Sequence, residues 1–268
     1  MSAEDRRRVA EETVAIVAAG GYDAPSGHRV DIAAEVAAAV AGTTPYLPDD
    51  PVPDGGAANP SPLIEVTSES TVDAGRRLGE DAVALVFASA RNPGGGFLRG
   101  TKAQEEDIAR ASALHACLSA VPEFYAFHRG ERDLRYSDRV IYSPRVPVFR
   151  VDTSALLDVP RRLSMITAAA PNLGAIRLNQ PHLVDSVPAA IEARARRVLA
   201  VAAAHGHRRI VLGAWGCGVF ANDPAVVATA FAAALRDVPR FDHVVFGVLE
   251  RDPAPTRRTF ADVLCPDV

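Results

Sequence analysis

The sequence predicts an α/β protein with a mixed central sheet, helices on both of its faces and an N-terminal helical extension. Two observations carry that expectation. From residue 63 onward, short β-branched apolar runs alternate with Ala-rich amphipathic stretches, the pattern of a sheet covered by helices. Ahead of them, PDDPVPDGGAANPSP crowds prolines and glycines between Pro48 and Pro62, so no regular element spans it and a boundary falls there. Residues 1–60 are expected to be the extension and its linker, and residues 61–268 the main domain.

In chain order, the extension holds helices at Glu4–Ala19 and Asp31–Ala41, the second started by Asp31 as a cap and closed by Gly42. Strands follow at Leu63–Val66, Ala82–Phe87, Arg139–Ile141, Met165–Ala168, Arg209–Leu212 and Val244–Leu249. Tyr, Val and Ile mix with prolines in YSDRVIYSPRVPVFRVD, which suits an antiparallel edge pair better than a central strand and makes the sheet mixed. Helices fit Val72–Leu78, Gln104–Leu118, Pro188–Ala204, Pro224–Leu235 and Thr256–Leu264. The second of these is drawn from Ile108, Ala111, Leu114 and Leu118, which recur at helical spacing.

Composition bounds the chemistry. The 268 residues are 48% apolar and 23% charged, ordinary for a globular protein able to bury a core without disulfides or metal. A formal charge of -4 gives no general affinity for nucleic-acid phosphates, so direct DNA binding is not expected and any anionic ligand must be held by local geometry. Three cysteines, Cys117, Cys217 and Cys265, are widely spaced and form no CxxC pair, which reads as reduced thiols in a cytoplasmic protein. Glu11 and Glu12 interrupt the apolar run near the N-terminus, so that segment reads as an amphipathic helix and not a signal peptide. No stretch approaches the roughly 18 apolar residues of a membrane span.

Two loops carry the chemistry. The strand Ala82–Phe87 runs into ASARNPGGG, and the loop leaving the carboxyl end of a strand is the usual ligand site of an α/β sheet. Asn-Pro-Gly-Gly-Gly also fits a plain flexible turn. Gln104, Glu105 and Glu106 follow the glycines after seven intervening residues, at the expected first turn of a helix. Carboxylates are favoured there by the helix dipole alone, yet two neighbours point about 100° apart and could divide labour on one ligand. The second loop, GAWGCGVFAND, follows Arg209–Leu212, and its Gly213, Gly216 and Gly218 leave backbone N–H groups free to surround a diphosphate. It is neither a P-loop nor a dinucleotide fingerprint. Phe220 fits either the core or a platform for a sugar or base. Cys217 lies near a helix start that could lower its pKa, although a backbone-donor role suits it better. His205 and His207 follow a helix end, where capping is favoured over metal ligation.

A triple glycine followed by Gln-Glu-Glu resembles the signature of the poly(ADP-ribose) glycohydrolases, in particular the compact bacterial type built on a macrodomain. EVTSEST, FASARNPGGGF, VIYSPRVPVFR and VLGAWGCGVFANDP resemble that type as well, in the same order, so the likeness runs from about Ile64 to the C-terminus. The resemblance implies a macrodomain-like three-layer α/β/α fold and hydrolysis of ribose–ribose O-glycosidic bonds in poly(ADP-ribose), releasing ADP-ribose from chain ends. It implies Glu106 as the catalytic glutamate, Glu105 as its neighbour on the ribose hydroxyls, and Gln104 as the residue that steadies the loop. Gly94, Gly95 and Gly96 would wrap the diphosphate and distal ribose. Gly216, Cys217, Gly218, Val219 and Phe220 would form the second diphosphate loop, with Phe220 ordering the distal ribose. Asn92, with Ser89 as a competitor, would contact the same ribose. No residue is assigned to the adenine.

On this reading no metal or cofactor is needed. A glycosidic bond breaks through an oxocarbenium-like transition state, so one group must protonate the leaving oxygen and activate water. Glu106 would do both in turn, its pKa raised by burial, by Glu105 and by the bound diphosphate. Expected partners are poly(ADP-ribose), ADP-ribose and ADP-ribosylated proteins. A non-catalytic ADP-ribose reader and a hydrolase of mono-ADP-ribosylated protein or another ADP-ribose derivative are the alternatives.

Overall fold

The structure is a computed structural model and describes residues 1–151 and 155–266. Its N-terminal part folds as α1 (Ala3–Ala19), a ribbon of β1 (Gly21–Asp23) and β2 (Arg29–Asp31), α2 (Ala33–Ala41) and β3 (Thr44–Tyr46). There follow β4 (Leu63–Thr67), α3 (Thr71–Leu78), β5 (Val83–Phe87), a 3-10 turn at Phe97–Arg99, α4 (Gln104–Ala111), α5 (Leu114–Ser119) and α6 (Pro122–Gly130). The remainder is β6 (Val140–Val151), β7 (Ala155–Ala168), α7 (Leu173–Asn179), α8 (Val187–Ala204), β8 (Arg209–Gly213), α9 (Pro224–Asp237), β9 (His243–Gly247) and α10 (Pro255–Leu264).

Seven strands form one mixed sheet in the order β3-β6-β7-β5-β8-β9-β4. Pairings from β7 through β5, β8 and β9 to β4 are parallel, while β6 runs antiparallel to both β3 and β7. The centre is β5, whose run VALVF is apolar throughout because both of its faces are covered. Val83 and Leu85 face a core shared with α8, α9 and α10, and Ala84 and Val86 face a second core shared with α2, α4, α5 and α6. The parallel strands end together at Thr67, Phe87, Ala168, Gly213 and Gly247, so the loops that follow them gather at one edge of the sheet.

Several expectations are corrected. The stretch 104–118 is not one helix: the chain breaks at Ser112 (φ -148°, ψ 176°). The Ser112 hydroxyl donates to the Ile108 carbonyl at 2.7 Å and accepts from the Leu114 N–H, and Ser112 bridges to Val148 of β6. A serine supplying its own hydrogen bonds, with a strand within reach, outweighs helical periodicity. The segment read as an edge pair is one long strand, β6, second from the edge, and the Asp152 that ends the segment lies outside the described residues. Of its prolines, Pro144 is accommodated by an irregularity between Ser143 and Val146, where Arg145 takes φ 45°, while Pro147 stands in register with Arg162 of β7. Asp31 lies in β2, and α2 starts at Ala33, although the Asp31 carboxylate does accept the Ala33 N–H at 2.9 Å. The last strand stops at Gly247, not Leu249, and α6 was not anticipated.

The side chains of His205 and His207 do not cap α8. His205 stacks on Tyr142 with ring centroids 3.6 Å apart and bonds the Tyr46 hydroxyl at 2.8 Å. His207 lies between the Tyr142 hydroxyl and the Asp81 carbonyl. Together they tie β3, and so the N-terminal segment, to the turn between α8 and β8. At the other end of that segment α1 packs on α4 and on the 97–99 turn, with the Thr13 hydroxyl donating to the Arg110 carbonyl and Arg6 to the Gly100 carbonyl, both at 2.7 Å.

Candidate active site

The first glycine loop leaves β5 and doubles back over the start of α4. Gly94 and Gly95 take φ 67° and 61°, a region that side-chain-bearing residues seldom adopt, and this lets the loop close tightly. A Cβ on Gly95 would sit 2.4 Å from one Glu106 carboxyl oxygen and 3.1 Å from one of Glu105. The two carboxyls, expected to diverge, therefore bracket the same glycine. Glu106 accepts the Gly96 N–H at 2.9 Å, and Glu105 accepts the Ser89 N–H at 2.6 Å.

Gln104 completes the triplet. Its carbonyl oxygen accepts the Phe87 N–H at 2.9 Å, while its amide donates to the Leu85 carbonyl at 2.7 Å and the Thr71 hydroxyl at 3.0 Å. Those bonds lock α4 onto the end of β5 and the start of α3. Buried Arg110 extends the lock, donating to the Thr101 carbonyl and pairing with Asp107 at 2.5 Å. The N-cap residue of α4, Ala103, has no side chain able to cap the helix, and the Glu105 and Glu106 carboxyls accept N–H groups from the loop instead.

Glu105 and Glu106 are only 2% and 7% exposed, which is exceptional for carboxylates. Burial holds the Glu105 carboxyl well above the usual carboxylate range, the charge of Glu106 acts in the same direction, and the Ser89 N–H opposes both. One Glu105 oxygen is buried with no hydrogen-bond partner among the described residues, a position that a sugar hydroxyl would satisfy.

The second loop is pinned at both ends and open at its tip. The fully buried Trp215 donates its indole N–H to the Ala168 carbonyl at 3.0 Å. Asn222, also buried, donates to the Pro171 carbonyl at 2.8 Å and the Gly216 carbonyl at 3.1 Å. Gly216 takes φ 74°, and a Cβ there would strike Asn222 and Ala170. At the tip, Gly218 has open space around it and Val219 is 91% exposed. Burial pushes the Cys217 thiol up to about 12, the reverse of activation, so Cys217 is a protonated wall residue. Phe220 answers to both readings, packing partly on the core while its ring lies 6.2 Å from that of Tyr136.

A cavity of about 880 Å³ continues from Cys217 and Gly218 to Gln104, to the α3 start at Glu69, Ser70 and Thr71, and to the 248–251 loop. Asn92 is exposed, and the Ser89 hydroxyl is occupied by the N–H groups of Arg91 and Asn92, at 3.4 and 3.3 Å. Sequence reasoning missed the cavity walls and Tyr136. Ser70-Thr71-Val72-Asp73 did hold a local signal, since Ser70 caps α3 by accepting the Asp73 N–H while its hydroxyl donates to the Asp73 carboxylate, but nothing local ties that cap to the glycine loops. Among the described residues no group of three or more His, Cys, Asp or Glu side chains is placed to hold a metal, and no helix is long and apolar enough to cross a membrane.

The comparisons with known proteins agree with this geometry. The family described as microbial-type PARG, catalytic domain, matches residues 10–151. The chain belongs to the microbial-type poly(ADP-ribose) glycohydrolase family. It is a glycosidase acting on poly(ADP-ribose), which sets aside the non-catalytic reader. Its structure is similar to that of poly(ADP-ribose) glycohydrolase from Thermomonospora curvata, at 48% identity over 97% of this chain and 100% of that one, with a TM-score of 0.90. The same enzyme bound to the inhibitor ADP-HPD matches at 48% identity over 96% of this chain and 98% of that one, TM-score 0.88. The Deinococcus radiodurans enzyme in complex with ADP-ribose matches at 41% identity over 87% and 98% of the two chains, TM-score 0.79. No curated protein matches. The macrodomain-like three-layer fold follows from the same likenesses.

Proposed function

We propose that the chain removes ADP-ribose from the ends of poly(ADP-ribose), with Glu106 as the general acid and then the general base. The observation that carries the reading is the pair of buried carboxyls clasping a glycine loop at the carboxyl edge of a parallel sheet. Glu106 protonates the oxygen that leaves with the shortened polymer and then takes a proton from the attacking water. Glu105, whose pKa burial raises, hydrogen-bonds a distal-ribose hydroxyl through its unpartnered oxygen. Gly94, Gly95 and Gly96 and the 216–220 loop cradle the diphosphate, whose charge stabilises the neighbouring oxocarbenium ion. Asn92 and Phe220 border the distal ribose, and the cavity beyond Gly218 takes the adenosine.

Gln104 acts at one remove, positioning α4. Residues 61–268 are the catalytic domain in this reading, and residues 1–60 an extension that braces it through α1. ADP-ribose and ADP-ribosylated proteins are the proposed ligands, the first of them supported by the ADP-ribose complex of the Deinococcus radiodurans enzyme. A cytoplasmic site is supported by the free thiols of Cys117, Cys217 and Cys265. The test is Glu106→Ala: polymer hydrolysis falls by at least about 10³-fold, a typical general acid–base contribution, while ADP-ribose still binds. Retained turnover removes the assignment, and early release of oligomers in place of ADP-ribose refutes cleavage from chain ends.

A further inference from the structure

The cavity proposed for the adenosine is lined by none of Phe220, Tyr136, Arg91, Arg129 or Arg139, and these residues form a separate aromatic and cationic group beside the first loop. Phe220 touches Tyr136, which also packs on Ala88 and Ala90 at the root of the first loop. Tyr136 in turn meets the edge of His128, with ring centroids 5.9 Å apart. Beside His128 on α6, the Phe127 ring carries the Arg139 guanidinium on its face, 3.4 Å from the centroid. Arg129 reaches back to the first loop, donating to the Arg91 carbonyl at 2.9 Å, one residue before Asn92.

Arg91 and Arg129 are exposed and Arg139 is half-buried. None of the three has a carboxylate partner among the described residues, because the acidic groups nearby are committed elsewhere. Asp133 is paired with Arg135 at 2.6 Å and Asp138 with Arg194 at 2.9 Å, and Glu131 accepts the N–H groups of Arg132 and Asp133 at 2.7 and 3.1 Å. A guanidinium lying flat on a ring keeps its N–H edge free for a phosphate.

We propose that Arg91, Arg129 and Arg139 form a subsite for the pyrophosphate of the departing polymer, on the far side of the scissile bond from the adenosine cavity. The oxygen that leaves belongs to the next ADP-ribose unit, whose own pyrophosphate follows within a few bonds. In this inference that anion passes Phe220 and Tyr136 and meets three guanidinium groups that have no carboxylate partner among the described residues. The inference rests on the reading of Glu106 and the glycine loops as the site of cleavage.

The experiment compares purified poly(ADP-ribose) with a fluorogenic aryl glycoside of ADP-ribose, whose leaving group carries no phosphate. In Arg91→Gln/Arg139→Gln, kcat/KM on polymer divided by kcat/KM on the aryl glycoside falls about three- to tenfold from the wild-type ratio, the size expected for two partly exposed charge contacts. A ratio within twofold of wild type overturns the subsite, whether both activities fall together or neither does. A second measurement needs no variant: the wild-type KM for polymer rises with salt more steeply than that for the aryl glycoside, by a log–log slope of roughly 0.7 per phosphate contact. Equal slopes overturn the subsite as well. A wild-type protein that cleaves neither substrate refutes the glycosidase reading instead, so the two failures are distinguishable.

Discussion

Gly95→Ala tests the geometry where it is tightest. Placing an L side chain at φ 61° costs about 1–2 kcal/mol, and the new Cβ would stand 2.4 Å from a Glu106 carboxyl oxygen, about 1 Å inside ordinary contact. The carboxyl is the free end of a side chain, so it retreats and the fold survives, with a melting temperature lowered by a few degrees. Retreat is not cheap for catalysis, since a displacement of about 1 Å in a reacting group costs on the order of 10²-fold. Steady-state kinetics at saturating polymer should therefore show kcat reduced about 100-fold in a protein with wild-type circular dichroism. Gly218→Ala is the contrast: its Cβ meets nothing within 4 Å and its φ is ordinary, so the melting temperature holds and KM rises if the diphosphate approaches that backbone. A folded Gly95→Ala enzyme with kcat within threefold of wild type would refute the claim that this glycine exists to admit the Glu106 carboxyl.

Three further outcomes follow from burial. Glu105 has a raised pKa, so the folded state holds a proton that the unfolded chain gives up, and its contribution to stability declines as pH rises from the ordinary carboxylate value. Glu105→Gln should thus melt higher than wild type by an amount that grows as pH rises above the ordinary carboxylate range, while turnover falls; a gain independent of pH would sink the argument. His128 is fully buried with its pKa lowered from 6.5 to about 4, so its contribution is fully present above pH 6.5 and is lost as pH falls through that window, up to about 3 kcal/mol. His128→Gln should flatten the melting-temperature profile between pH 6.5 and 4, and an unchanged slope contradicts the assignment. Cys217, with its thiol pushed up to about 12, should resist alkylation at pH 8, and Cys217→Ala should keep kcat within about threefold; rapid labelling would show a thiolate the structure does not support.

What could be read from the sequence was local. The run VALVF announced a strand buried on both faces, and the glycines placed the two loops at its end and at the end of β8. The break at Ser112 was invisible because Ile108, Ala111, Leu114 and Leu118 keep helical spacing across it and all are buried. Its cause lies in β6, a distant segment. Tyr136 gave no signal, since only the order of the sheet brings it between the two glycine loops. Burial was equally hidden. A raised pKa was expected at Glu106, yet the fold buries Glu105 more deeply, and a sequence that sets two glutamates side by side gives no means of ranking them.

The ranking matters because Gln104, Glu105 and Glu106 work as one clamp. Gln104 holds α4 to the end of β5, Glu105 holds the start of the loop at Ser89, and Glu106 holds its far end at Gly96. Three consecutive residues at an uncapped helix start can reach three successive points only if the chain between β5 and α4 folds back on itself, which Gly94 and Gly95 permit through their positive φ. On the proposed reading of Glu106 as the acid and the glycine loop as the diphosphate cradle, one backbone positions both, so the distance between acid and anion is set by one loop and does not depend on how two domains meet. Loosening any one of the three bonds shifts the other two, and double substitutions within the triplet should be far from additive.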